Sequence, residues 1–374
     1  MTLGIPVPST TKAVVVRKSN TKSSQEYVND AVLEDIPLHQ LEPGEVLVKI
    51  HAVAFNHRDV RMNNRVWIRK GLYPGIQDGA VFGADGAGVI VASGDSQNDN
   101  MINQRVFLLP SHGWDDHPDA PESQFGVVGG VRWPALGTFA EYVVVEKDKV
   151  LPSAPHLSDI DMAAWPLAGL TAWRATMVNA EVQRGQNILI TGIGGGVALT
   201  ALQLAVAQGA SVYVTSGNQE KINKAIELGA KGGANYKDPN WPNEIHKLIR
   251  KNSPAGFPAV LDAVVDSGGG DIMTSIGSIL KQGGRVICYG MTAQPKITFT
   301  MREVLRNQRL IGSTMGSTQD LRDATEFLSK HKIVPVVSQV VRGLGNAEKG
   351  FEMLRSGMQF GKIIIEVGDT KAKL

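Results

Sequence analysis

"ILITGIGGGVALTAL", residues 188–202, decides the fold. Its first four residues are apolar or β-branched, as in a strand covered on both faces. From Val197 the apolar spacing becomes helical and runs through "QLAVAQGA" to a closing glycine, Gly209. Between strand and helix stand Gly192, Gly194, Gly195 and Gly196. Such a turn needs positive φ, and a diphosphate can approach its backbone only where no Cβ intervenes. The following helix offers unpaired N–H groups and the positive end of its dipole to an anion. Glycine-rich turns are common, so the flanking strand and helix make this a dinucleotide site and leave a merely structural turn as the alternative.

Downstream, strand and helix alternate. "SVYVTS" is followed by the helical "QEKINKAIELGA", then by the strands "AVLDAVVDS", "GRVICYG" and "RLIGST". That alternation predicts βαβ units and a parallel sheet. Upstream, from about residue 12 to 150, short β-branched runs such as "AVVVR", "EVLVKIHAVAFN" and "GAGVIVAS" lie between Gly and Pro turns, as in a strand-rich region. The tail, helical in "LRDATEFLSKHK" and "AEKGFEML" and then extended in "KIIIEV", reads as a return to that first region. Residues 109–133, rich in Gly, Pro and Asp, read as one long surface loop.

The 374 residues, 43% hydrophobic and 20% charged, suit two globular domains. Net charge +2 gives no reason to expect nucleic acid or an anionic membrane as partner. No apolar run is long enough for a membrane span. The first twenty residues lack the pattern of a secretory signal, which makes the cytoplasm the expected location; a mitochondrial presequence stays open, although Arg17 is the one arginine there. The single cysteine, Cys288, excludes an internal disulfide and a four-cysteine zinc cluster, and reads as a small core residue.

The strand after the glycine turn selects the dinucleotide. An NAD site usually places Asp or Glu at its end for the ribose hydroxyls. Here it ends "VTSGNQEK", with Ser216, Asn218 and, one helical turn in, Lys221. Hydroxyl, amide and ammonium groups accept a 2′-phosphate that a carboxylate repels, so NADPH is expected over NADH. A second polar stretch, "AFNHRDVR" (54–61), closes an apolar alternating run with Asn56, His57, Arg58 and Asp59. Alone it is equally a metal site, an acid/base pair or a solvated turn.

Taken together, the glycine turn and eight further segments resemble the medium-chain dehydrogenase/reductase superfamily over roughly residues 12–367. They are "PGEVLVKIHAVAFNHRD" (43–59), "FGADGAGVIVASG" (82–94), "GTFAEYVVV" (137–145), "PLAGLTAWRA" (166–175), "LGAKGGANYKD" (228–238), "KQGGRVICYGM" (281–291), "IGSTMGS" (311–317) and "FGKIIIEV" (360–367). The chain is most similar to the zinc-independent branch of quinone oxidoreductases, enoyl reductases and alcohol-dehydrogenase-like proteins with an "NHRD" motif. Ala198 departs from that branch's longer glycine pattern, which usually has Gly there. The resemblance implies an α/β fold: a GroES-like β-rich catalytic domain, residues 1–152 and 318–374, with a Rossmann doubly wound parallel sheet, residues 153–317.

Zinc-dependent members ligate metal with a Cys and a His-Glu pair where this sequence has Asn56, Ala84 and Asp85. Two ligands are lost, and no metal site is expected. The resemblance places Gly192, Gly195, Gly196 and Val197 under the diphosphate, and Ser216, Asn218, Lys221 and Tyr236 around the adenosine ribose and its phosphate. It puts Ser267, Tyr289, Gly290 and Met291 on the nicotinamide side, with Met315 and Ser317 near the ring or substrate. Asn56 and Thr171 are candidate catalytic residues, and Lys362 a cofactor contact from the C-terminal segment. The expected enzyme is a zinc-free, NADPH-dependent oxidoreductase passing hydride to an activated alkene, quinone or aldehyde. Its rivals are a reversible alcohol/aldehyde dehydrogenase and a nucleotide-binding sensor or structural protein without turnover. A homodimer is the superfamily's default.

Overall fold

The computed structural model describes residues 7–19, 29–63, 75–96, 99–253, 256 and 258–368. They pack as two units, one drawn from residues 1–167, 317–322 and 334–374, the other from 168–316 and 323–333.

The second unit is built on six parallel strands. Asn187–Ile190 is central; Ser211–Ser216 and then Gly232–Asn235 lie to one side, Leu261–Asp266, Leu280–Cys288 and Arg309–Gly312 to the other. Chain order therefore reverses at Asn187–Ile190, the strand that feeds the glycine turn. In a doubly wound sheet such a reversal opens a crevice at the carboxyl ends of the strands, where ligands bind. Ile188, Leu189 and Ile190 are wholly buried, as the apolar run requires. Helix Gly196–Ala207 buries seven of its twelve residues. Helices Gln219–Glu227 and Trp241–Asn252 each bury two, Ile222 with Ala225 and Ile245 with Ile249, and turn charged faces outward.

The first unit holds a mixed, mainly antiparallel sheet: Val337–Arg342, Lys362–Glu366, Glu45–Ala54, Asp85–Ser93, Arg105–Leu108 and Val150–Pro152, with Tyr142–Glu146 also paired to Glu45–Ala54. Its register builds a site. Ala54 pairs with Asp85 on one neighbour and with Ile364 on the other. Two residues further, the same antiparallel frame brings Lys362 opposite Asn56. Beneath lies an aromatic cluster in which Phe55 meets Phe139 and Phe351 edge-on at 5.0 and 4.9 Å. Helix Ala347–Ser356 rests directly on it: a Cβ at Gly350 would sit 2.2 Å from the Phe55 ring.

Residues 109–133 match the expected surface loop only in part: 115–120 and 122–124 are exposed, but the flanks are not. Leu109, Trp114 and Val128 are buried, and Ser111–His112 pairs with Gly126–Val127. Glu122 organises the outer part by accepting the backbone N–H groups of Asp115, Asp116 and His117, which hold its carboxyl down at about 2. Composition identified the turn residues but not this exposed carboxylate, which satisfies N–H groups that would otherwise bind water. Residues 62–78, which in sequence also have no readable pattern and read as a loop, are described only in part: 64–74 lie outside the described residues.

Candidate active site

In the second unit, Gly192 and Gly194 adopt φ of +65° and +137°, conformations that L side chains rarely reach. Gly195 is different. Its φ of −83° suits any residue, and a Cβ there would meet nothing within 4 Å. It caps helix Gly196–Ala207 without any side-chain bond, so Gly195, Gly196 and Val197 present a bare helix N-terminus. The turn itself is held from below. Gly192 donates to Thr215 Oγ1 at 3.3 Å, and Ile193 N to the Thr215 carbonyl at 2.8 Å.

Around this cradle lie residues expected to read the ribose phosphate. Ser216 is buried, and its Oγ accepts Asn218 N. Asn218 caps helix Gln219–Glu227, Oδ1 accepting Glu220 N at 2.8 Å. The side chain of Lys221 folds over the glycines: a Cβ at Gly194 would stand 3.3 Å from its Nζ. A Cβ at Gly217 would meet Tyr236 Oη at 2.8 Å and Lys237 Cε at 3.0 Å. Glu220, the acid nearest the strand end in sequence, points its carboxylate to Lys224 at 2.6 Å.

On the other side, Ser267 faces Gly192 and donates to the Thr191 carbonyl at 3.3 Å. Tyr289 hydrogen-bonds to Ser267, and burial pushes its phenol upward. Gly290 passes so close to Ser267 that a Cβ would lie 2.8 Å from its carbonyl. Met291 follows, partly exposed. Thr171 and Met315 are buried together, Oγ1 to Sδ at 3.6 Å, with Met315 at φ +48°. Half-buried Cys288 points its Sγ to the Gly290 carbonyl at 3.2 Å.

The first unit brings Asn56 and Lys362 together with Asp85. Lys362 Nζ donates to Phe55 O at 2.8 Å, Asn56 Oδ1 at 2.6 Å and Asp85 Oδ2 at 2.8 Å. Asn56 Nδ2 donates to Asp85 Oδ2 at 2.9 Å, and Asp85 Oδ1 accepts Leu167 N at 2.7 Å. All three residues are at least nine-tenths buried. The other "NHRD" residues brace this group. Asp59 accepts Asn56 N at 3.0 Å, and burial raises its carboxyl to about 6 against the pull of Arg58 and that N–H. Arg58 reaches Val128 O at 2.7 Å, tying the strand end to the 109–133 segment. His57 is exposed, 3.4 Å from Gln359. Ser317 lies apart from the cluster, exchanging hydrogen bonds with Asp320 at the start of helix Thr318–His331.

With this geometry in hand, resemblance becomes specific. A model of the alcohol dehydrogenase GroES-like domain matches residues 42–156, and one of zinc-binding dehydrogenases matches 196–330. A zinc-type alcohol dehydrogenase-like protein, YogA of Leptosphaeria maculans, is 41% identical over 337 residues, 87% of this chain and 91% of its own. The chain belongs to the medium-chain dehydrogenase/reductase family. As a member it is an NAD(P)H-dependent oxidoreductase, with the expected GroES-like domain and Rossmann sheet. The crystal structure of an NAD-dependent alcohol dehydrogenase superposes with TM-score 0.79 at 30% identity, covering 96% of this chain and all of that one. A 2-octenoyl-CoA carboxylase reductase, held with NADP and 2-octenoyl-CoA, shares the fold at TM-score 0.79 and 21% identity, over 99% and 90% of the two chains.

Several members of this oxidoreductase's two clusters escaped the sequence reading. Thr191 Oγ1 donates to Asp266 at 2.6 Å, and Asp266 accepts Gly269 N, so a buried network fixes the turn that carries Ser267. Lys237 follows Tyr236 and was visible as a second cation. Asp85 drew notice only as the acid beside two lost zinc ligands, Asn56 and Ala84 standing where the Cys and His would be. Its partnership with Lys362, 277 positions away, has no local signal.

Proposed function

We propose that this medium-chain dehydrogenase/reductase is a zinc-free, NADPH-dependent reductase of activated alkenes, quinones or aldehydes. The observation that carries the metal-free reading is the donor set. Where zinc relatives have ligands, this chain offers an amide, a methyl group and a carboxylate already holding Lys362, Asn56 and Leu167 N. Those groups do not fit a zinc site. Among the described residues no other cluster of three His, Cys, Asp or Glu could hold a metal.

The glycine turn fits a dinucleotide, because open space above Gly195 lies beside a bare helix N-terminus. NADPH is favoured by Lys221 over the glycines, by Tyr236 and Lys237 at Gly217, and by the engagement of Glu220 with Lys224. When bound, the nicotinamide supplies hydride. Asn56 then serves the oxygen on which negative charge develops. Its Nδ2 gives one hydrogen to Asp85, and the other has no partner among the described residues. A fixed N–H donor of this kind stabilises an enolate or alkoxide, and loss of one typically slows turnover by about 10²–10³-fold. Solvent supplies the proton at carbon when an alkene is reduced, so no poised acid is required.

One preparation tests the reading. We expect substoichiometric zinc, a higher kcat/KM with NADPH than with NADH, and turnover of enones or quinones that Asn56→Ala lowers about a hundredfold. Stoichiometric zinc, or an NADH preference, overturns the corresponding part. The NAD-dependent alcohol dehydrogenase neighbour favours a second reading, reversible alcohol oxidation. Activity confined to alcohols and aldehydes would establish it. Turnover of nothing in the panel would point to a sensor or structural protein.

A homodimer is supported by the edge strand Arg309–Gly312, which pairs on one side with Leu280–Cys288, and by exposed Phe299, Met301, Val304 and Leu305 before it. Light scattering at twice the chain mass, reduced to the monomer by Leu305→Glu, is the expected result; a monomer from the outset refutes it.

A further inference from the structure

We infer that Asp85 and Lys362 are positioning residues for Asn56, fixing which end of its amide meets the reacting oxygen. This rests on the proposed role of Asn56.

An asparagine amide has two ends of nearly equal shape, one accepting and one donating, and an amide bonded only to water or to hydroxyls can flip between them. Asn56 is read by two partners that leave no choice. An ammonium only donates, so Lys362 takes Oδ1, at 2.6 Å. A carboxylate only accepts, so Asp85 takes Nδ2, at 2.9 Å. The two readers also fix each other, at 2.8 Å.

The cluster's protons are almost all committed. Lys362 has three, and three acceptors consume them: Phe55 O, Asn56 Oδ1 and Asp85 Oδ2. It has none left for a cofactor or substrate, so the contact role expected for it passes to Asn56. Asp85 receives Lys362, Asn56 Nδ2 and Leu167 N. Among the described residues the second Nδ2 hydrogen of Asn56 is the cluster's one uncommitted donor, and its direction follows from the other two bonds. Asp85 and Lys362 therefore act through Asn56 and never touch the reacting atoms.

The discriminating experiment is a double-mutant cycle of Asp85→Asn with Asn56→Ala. A neutral amide at 85 both donates and accepts, so it no longer dictates the orientation at Asn56. Asp85→Asn should lower kcat about tenfold or more while the Kd for NADPH, read by fluorescence titration, changes less than about threefold. In the Asn56→Ala background the same change should have almost no further effect on kcat. An additive loss, or no loss in the single variant, overturns the inference. If Asn56→Ala alone leaves kcat intact, the proposed function of Asn56 has failed instead. Should Asp85→Asn not fold, Lys362 carries the same test. Lys362→Arg, still a pure donor, should keep most of kcat, and Lys362→Gln, which both donates and accepts, should lose it only when Asn56 is present. Equal losses in Lys362→Arg and Lys362→Gln refute the positioning role.

Discussion

Gly195→Val is expected to raise the Kd for NADPH about a hundredfold, equivalent to roughly 2.7 kcal/mol, while leaving the fold in place. The asymmetry comes from local geometry. At Gly195 the backbone is extended, φ −83° and ψ 158°, and an added Cβ meets no atom. Valine there costs the protein at most about 1 kcal/mol, the scale of a poor N-cap residue. Its methyl groups would fill the space a diphosphate must enter to reach the N–H groups of Gly196 and Val197. Gly192 offers the contrast. There φ is +65° and a Cβ would fall 2.7 Å from Ser267 Oγ, so substitution harms the apoprotein as well. Titration of nucleotide fluorescence beside thermal melts separates the two. Unchanged affinity in Gly195→Val would show that the glycine serves only the turn.

Lys362→Met should destabilise the first unit by about 3–5 kcal/mol, the usual consequence of leaving one member of a buried ion pair alone. Asp85 has no exposed surface, and Lys362 is 5% exposed, so water cannot replace the lost ammonium. Adding Asp85→Asn to that variant should recover most of the loss. The amide oxygen still accepts Leu167 N, and position 85 no longer carries an unpaired buried charge. Chemical denaturation followed by circular dichroism would give the two midpoints. Equal stability of the single and double variants would contradict a charge-based account and leave packing as the cause.

Much of the architecture was legible because it depends on short-range pattern. The apolar run Ile188–Ile190, the glycines after it and the periodicity of the next helix specify a strand–turn–helix unit within fifteen residues. The cations and hydroxyls after Ser211–Ser216 were legible for the same reason. The Asn56 cluster was not, because its members come from two strands and the end of a third, far apart in the chain. Asn56 stood out as a polar residue closing an apolar strand. Lys362 stood out only through a family motif, and looked like a cofactor contact until its three acceptors were in view. Segment 109–133 misled in the opposite way: turn-forming composition does not reveal that its flanks, Leu109, Trp114 and Val128, are buried, while Glu122 gathers the exposed N–H groups between them.

The antiparallel register of Lys362–Glu366 against Glu45–Ala54 also bears on the order of events in synthesis. Asn56 and Asp85 leave the ribosome early, yet the cation that neutralises Asp85 arrives 277 residues later, on the last strand. Until that strand docks, the half-made sheet carries a carboxylate that resists burial. The sheet of the first unit therefore cannot be completed until the chain has been made through residue 362, although its strands begin the chain. Loop-closure entropy across so long a separation makes this pairing a late event. Assembly of the N-terminal half waits on the C-terminus, and a nascent chain stopped short of residue 362 holds an unfinished sheet.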